Sequence, residues 1–215
     1  MKEELLSWLE QGDFDSIAQA ARHQKRILSL LTALTYHPQP LVAWRAVQAM
    51  GIAARVISAS DPEYVLNHLR RLNWLVNDES GGIGWRAPES IGEILAECPG
   101  QFDDFISPLV YFLDIESEDA PRFRAGALWA IGRVASAKPG VIIPVLDLIL
   151  ACLEDTDPQV RGMALHCLHQ AGYSGELPGL QDLRADDTEF CLYQDGQIVI
   201  STVAERAALH ANRES

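Results

Sequence analysis

Glu89 and Glu93 stand four residues apart, which places both carboxylates on one face of any helix that carries them, and Arg86 lies three residues before Glu89. Beside Trp85, this trio can bind a cation, a basic ligand or a polar substrate. It can equally be an Arg–Glu pair on a helix surface, with Trp85 packed between neighbouring helices. Just upstream, Gly81-Gly82-Ile83-Gly84 puts three glycines in four positions. That composition lets backbone N–H groups approach a ligand, and it also simply turns a chain between two helices. The spacing fits neither a P-loop, since no Gly-Lys-Ser/Thr follows, nor a dinucleotide fingerprint after a strand. His166 and His169 share a helical face, with Cys152 as a third candidate, but the sequence does not bring three ligands together. No Ser-His-Asp or Cys-His arrangement follows from the spacing either. Catalytic residues, metal and cofactor are therefore all assigned as none, and the candidate binding residues are Trp44, Trp85, Arg86, Glu89 and Glu93.

The elements that position these residues repeat. Trp44-Arg45-Ala46, Trp85-Arg86-Ala87, Phe123-Arg124-Ala125 and Val160-Arg161-Gly162 each open a segment of helical periodicity, with Arg-to-Arg spacings of 41, 38 and 37. A period near 40 in helix pairs marks a solenoid, in which each unit buries its apolar face by stacking on its neighbours. Gly51, Gly92, Gly126, Gly132 and Gly162 fall inside these helices, where each costs about 1 kcal/mol relative to Ala. Their recurrence predicts close helix-to-helix approach. Trp44, Trp85 and Trp129 recur near the starts of the second helices and form either a binding stripe or inter-repeat core.

In chain order, residues 2–11 read as a short amphipathic helix and 1–15 as an N-terminal cap. Four helical hairpins follow over 16–172. The first pairs a long apolar-periodic segment, Ile17 to Tyr36, with a helix from Leu41 to Ser58 across His37-Pro38-Gln39-Pro40. Asp61-Pro62-Glu63 starts the second hairpin and Asp157-Pro158 the last helix of the fourth, since Asp caps and Pro suits the first helical position. The third hairpin spans Phe102 to Leu113 and Pro121 to Ala137, and the fourth begins with Val141 to Glu154. Residues 173–215 lose the period. Tyr173 to Asp187 reads as a loop, Asp195-Gly196 between β-prone runs as a hairpin, and Thr202-Val203-Ala204-Glu205 as a capping box for a terminal helix. The hairpin either packs on the last repeat and closes the array or pairs with another chain, a homodimer being the simplest case.

The run Asp157-Pro158-Gln159-Val160-Arg161-Gly162-Met163-Ala164-Leu165-His166-Cys167-Leu168 resembles a HEAT repeat of the bacterial, phycobilisome-lyase-like kind, and the other three units resemble it more weakly. The resemblance implies an all-α fold: a right-handed α-α superhelix (HEAT/armadillo-like solenoid), here with a small C-terminal β-hairpin and a terminal helix. It also implies a ladder in which Asp157 and Arg161 bind each other or adjacent repeats. Arg124, following Glu118 and Asp119, would do likewise, and so would Arg86, near Asp78 and Glu79. Arg45 departs from the pattern, having only His37 in an equivalent place.

Composition narrows the function. The 215 residues carry 30 acidic and 17 basic side chains, a formal net charge of −13. Six of the basic and five of the acidic residues fall in positions 1–60, so the remainder holds almost all the negative charge. This disfavours nucleic acid and anionic membranes, which call for basic surfaces, and suits a basic partner. Four widely spaced cysteines, no signal-peptide charge pattern and no apolar run near 18 residues suggest a cytoplasmic location. The expected function is a non-enzymatic adaptor or scaffold binding a protein or peptide on its concave face. The alternative is a ligand-handling or lyase-like HEAT enzyme with its site near Gly81 to Glu93.

Overall fold

The computed structural model describes residues 1–76, 86–114 and 120–211. These form twelve α-helices and one two-stranded antiparallel hairpin, and they fall into two compact units. The Gly81–Gly84 loop, Trp85, and the acidic residues Asp78, Glu79, Glu118 and Asp119 lie outside the described residues.

The first unit comprises Met1–Phe105 with the turn Asp195–Gln197. It contains α1 (Lys2–Gln11), α2 (Phe14–Ala21), α3 (Ile27–Leu34), α4 (Pro40–Ser58), α5 (Pro62–Val76) and α6 (Ala87–Glu97), then a 3₁₀ turn at Asp103–Phe105. α1 stops at Gly12, whose φ of 72° is left-handed and whose N–H bonds back to Leu9 O and Trp8 O. Asp13 caps α2 by accepting from Ser16 N at 3.0 Å. The continuous helix expected from Ile17 to Tyr36 is two helices, α2 and α3. Arg22-His23-Gln24-Lys25-Arg26 offers no apolar side chain to bury, so nothing holds a helical register there.

α4 is 19 residues long, by length and composition long and apolar enough to cross a membrane, contrary to the expectation that no such run exists. Here it is the central helix of its unit, packed on α2, α3, α5 and α6. Gly51 sets its approach to α6: a Cβ there would lie 2.7 Å from Glu93 O and 2.8 Å from Glu93 Cγ. The helix-to-helix contact predicted from the glycines is thus observed at this position.

The second unit comprises Ile106–Gln194 and Ile198–Ser215. It holds α7 (Ile106–Tyr111), α8 (Ala120–Ala137), α9 (Leu146–Ala151), α10 (Pro158–Gln170), α11 (Leu180–Arg184), β1 (Glu189–Gln194), β2 (Gln197–Thr202, its first residue counted with the first unit) and α12 (Val203–Ala211). α8 and α10 form its core, and Gly132 brings them together, since a Cβ would sit 3.1 Å from Cys167 Cα. The helix expected over Val141 to Glu154 is 3₁₀ at Pro139–Val145, α-helical only in α9, and 3₁₀ again at Cys152–Glu154, with Pro144 interrupting it. α11 forms inside the stretch read as a loop. At the C-terminus the capping box is as expected: Glu205 N donates to Thr202 Oγ1 at 3.1 Å and Thr202 N donates to Glu205 Oε2 at 3.0 Å.

Candidate functional site

The predicted trio opens α6, and α6 packs on α4. Arg86 sits at the N-cap with φ 71°, a left-handed conformation unusual for a side chain with Cβ. Its carbonyl takes the Ser90 hydroxyl at 2.7 Å and its guanidinium lies 3.9 Å from the centre of the Trp44 ring. Nη1 also reaches Glu89 Oε1 at 3.4 Å. Burial pushes the guanidinium pKa down, and the Glu89 charge opposes that shift. Glu89 is 8% exposed and Glu93 2%, Trp44 is 8% exposed, and Trp129 is buried in the other unit. The structure therefore brings Trp44, Arg86, Glu89 and Glu93 together as a sealed packing layer between α4 and α6. Trp85 lies outside the described residues.

The arginines of the ladder have different partners. Arg45 donates from Nη1 to Leu9 O at 3.0 Å and Glu10 O at 2.7 Å, and from Nε to Gly196 O at 3.3 Å. It thus satisfies the last carbonyls of α1 and places a cation at the negative end of that helix. His37, its only candidate partner by position, instead accepts from Gln39 N. Arg124 pairs with Asp155 Oδ2 at 2.9 Å, joining α8 to the loop that starts α10. Asp157 caps α10 by accepting from Gln159 N at 2.8 Å, and Arg161 turns to Asp186 Oδ2 at 2.6 Å and to Asp155 O at 2.7 Å. His166 is buried, its pKa pushed down to about 3 chiefly by that burial and then by Arg206, and the Cys152 thiol is pushed up to about 11.

An open feature lies elsewhere, along α5 and reaching α3 at one end. Tyr64, Asn67, His68, Arg70, Arg71 and Trp74 line a cleft of about 390 Å³. A more apolar recess of about 280 Å³ shares His68, Arg71 and Trp74 and reaches Ser29, Thr32, Leu72 and Leu75. Asp61 positions α5 by accepting from Tyr64 N at 3.1 Å, and Lys25 ties Asp61 to the α2–α3 turn at 2.6 Å. Arg70 is held on the helix surface by Glu63 at 3.3 Å and Asn67 at 3.0 Å. Arg71 makes no ion pair among the described residues, and Trp74 is 64% exposed.

His68 forms the floor. Its Nε2 lies 3.2 Å from Thr32 Oγ1, and the Thr32 hydroxyl already donates to Leu28 O at 3.0 Å. Thr32 must then accept, so Nε2 carries the proton. Burial and the Arg71 charge push the His68 pKa down to about 4, leaving it neutral near pH 7. The cleft thus offers Arg71, with Arg70 held by Glu63 at its edge, one aromatic face and an apolar recess.

Sequence reasoning missed this site, though its signal was present. Val65, Leu69 and Leu72 define the apolar stripe of α5, and Trp74, two residues past Leu72, points about 200° away from that position. A tryptophan off the apolar stripe and next to two arginines was the sign.

Comparisons with known proteins agree with the helix-pair architecture. Residues 121–170, which cover α8 to α10, match the HEAT-like repeat family. An uncharacterized protein of Archaeoglobus fulgidus is 32% identical over 107 residues, 50% of this chain and 53% of its own. The chain therefore spans about half the length of that curated relative. The crystal structure of an engineered protein aligns over 99% of this chain and 94% of its own, at 16% identity and a TM-score of 0.48, too remote to argue from. The chain is thus a mostly helical protein with one segment, residues 121–170, similar to a HEAT-like repeat.

Proposed function

We propose that this chain is a non-enzymatic helical-repeat scaffold that holds a protein or peptide segment in the α3/α5 cleft. The observation that carries the reading is Trp74, 64% exposed beside Arg71, which makes no ion pair among the described residues, and over an apolar recess. Accessible aromatic and Arg side chains around a pocket are the types that dominate binding energy at protein interfaces. The segment that fits has an apolar side chain for the recess and a carboxylate for Arg71, with Trp74 covering both. The partner as a whole is basic, drawn by a net charge of −13, and presents this acidic-apolar anchor at the cleft. The proposed surface belongs to first helices, in place of the second-helix wall that lines the concave side of a HEAT array. A ligand-handling site at Arg86, Glu89 and Glu93 is the weaker reading, because that layer is occupied by Trp44 and buried. Three of the four cysteines are buried free thiols, which supports a reducing, cytoplasmic setting.

Peptides selected from a displayed random library and measured by fluorescence anisotropy test this. The expected consensus pairs Asp or Glu with a large apolar residue, and Trp74→Ala and Arg71→Gln each weaken binding at least about tenfold. Peptides that bind both variants as tightly as the unaltered protein would overturn the proposal.

A further inference from the structure

The two edges of the β1–β2 hairpin are treated oppositely. Asp195 and Gly196 form a two-residue turn with φ of 51° and 75°, and Val203 N donates to Thr188 O at 3.2 Å. That register places residue 190 opposite 201 and 192 opposite 199, so the main-chain groups of 189, 191 and 193 point away from β2, and those of 198, 200 and 202 away from β1. On the β1 side these groups are taken by side chains. The Gln159 amide acts as a substitute strand, with Nε2 donating to Cys191 O at 2.7 Å and Oε1 accepting from Cys191 N at 3.0 Å. Trp129 Nε1 donates to Tyr193 O at 3.1 Å, and Phe190 packs where a Cβ on Gly162 would otherwise stand. On the β2 side, Thr202 N is closed by Glu205, but the main-chain groups of Ile198 and Ile200 have no partner among the described residues. Ile200 is 65% exposed and Val199 41%.

We infer that β2 is a homodimer edge, pairing antiparallel with β2 of a second copy about a twofold axis at Val199. The register is self-complementary. Ile198 and Ile200 both present outward N–H and C=O groups, so Ile198 of one copy and Ile200 of the other exchange two hydrogen bonds. The symmetric pair exchanges two more, and Val199 faces Val199 as the close, non-hydrogen-bonded pair. The side chains of Ile198 and Ile200 share one face and become cross-strand neighbours. Two copies of a chain with net charge −13 repel, and Gln197 to Thr202 is a stretch without a charge, so the closest approach falls where repulsion is least. Edge strands that must stay single normally carry Lys, Pro or a bulge, and this one has none of them. A second copy satisfies both unpaired residues at once and converts a marginal two-stranded hairpin into a four-stranded sheet.

The test uses the full chain with Cys191→Ser, since Cys191 is exposed and makes its hydrogen bonds through its main chain. Sedimentation equilibrium should give a dimer at concentrations up to about 100 µM, tighter at high salt as charge repulsion is screened. Ile200→Lys should sediment as a monomer with an unchanged circular dichroism spectrum. Under mild oxidation, Val199→Cys should cross-link several-fold more than Ile200→Cys, because a non-hydrogen-bonded antiparallel pair brings the Cα atoms to about 4.5 Å, within disulfide reach. An unaltered protein that stays monomeric, a dimer that survives Ile200→Lys, or equal cross-linking at the two positions would each overturn the inference.

Discussion

Two Trp–Arg combinations stand within the first unit and have opposite fates. Trp44 and Arg86 lie face to face, the guanidinium 3.9 Å from the ring centre, and Glu89 and Glu93 are buried with them. Trp74 and Arg71 line a cleft, the indole mostly exposed and the guanidinium in no ion pair among the described residues. The residue types are the same; the helix face differs. Trp44 stands on α4, which is surrounded by other helices, so its surface is spent on packing. Trp74 stands on the solvent side of α5, opposite the stripe that α4 and α6 cover, and its surface is left for something else.

The largest expected effect comes from breaking the sealed pair. Trp44→Ala removes a buried aromatic and the platform under Arg86, and should cost about 3–5 kcal/mol in chemical denaturation. The neutral histidines come next. The unfolded chain takes a proton near pH 6.5, whereas folded His68 does so only near 4 and His166 near 3. Stability should therefore be fully present above about pH 6.5 and fall by about 1.4 kcal/mol per pH unit for each histidine as pH drops toward 4. His68→Gln should flatten that acid limb in thermal melts across the range. Gly51→Ala drives a Cβ into the Glu93 carbonyl and should destabilise by about 1–3 kcal/mol, measured the same way. Smallest on stability, and most telling, are Trp74→Ala and Arg71→Gln, which should shift the unfolding free energy by no more than about 0.5 kcal/mol while lowering peptide affinity.

The helix-pair architecture was legible because Asp61-Pro62, Asp157-Pro158 and the recurring Arg carry local start signals and a fixed period. The hairpin and the final capping box were legible for the same reason: Asp195-Gly196 and Thr202 to Glu205 specify their own backbone. The divided first helices were less so, since the break at Arg22–Arg26 comes from an absence of burial and the 3₁₀ stretches around α9 from how Pro144 is accommodated. Partners of the arginines were least legible. Arg45 reaches the end of α1 and Arg161 reaches Asp186, and these contacts join residues 35 and 25 positions apart that no local spacing links. For the site, sequence spacing found a real cluster in Arg86, Glu89 and Glu93 but could not say that Trp44 lies over it. It passed over Trp74 because position on a helix face matters there more than any motif.

The central claim is that the open pair binds and the sealed pair only packs. The protein has five tryptophans and hence five indole N–H signals, which single substitutions can assign in a proton–nitrogen correlation spectrum. On titration with a selected acidic-apolar peptide, the Trp74 indole signal should move saturably while those of Trp44 and Trp129 stay in place. Movement of the Trp44 signal with Trp74 unchanged would contradict the account.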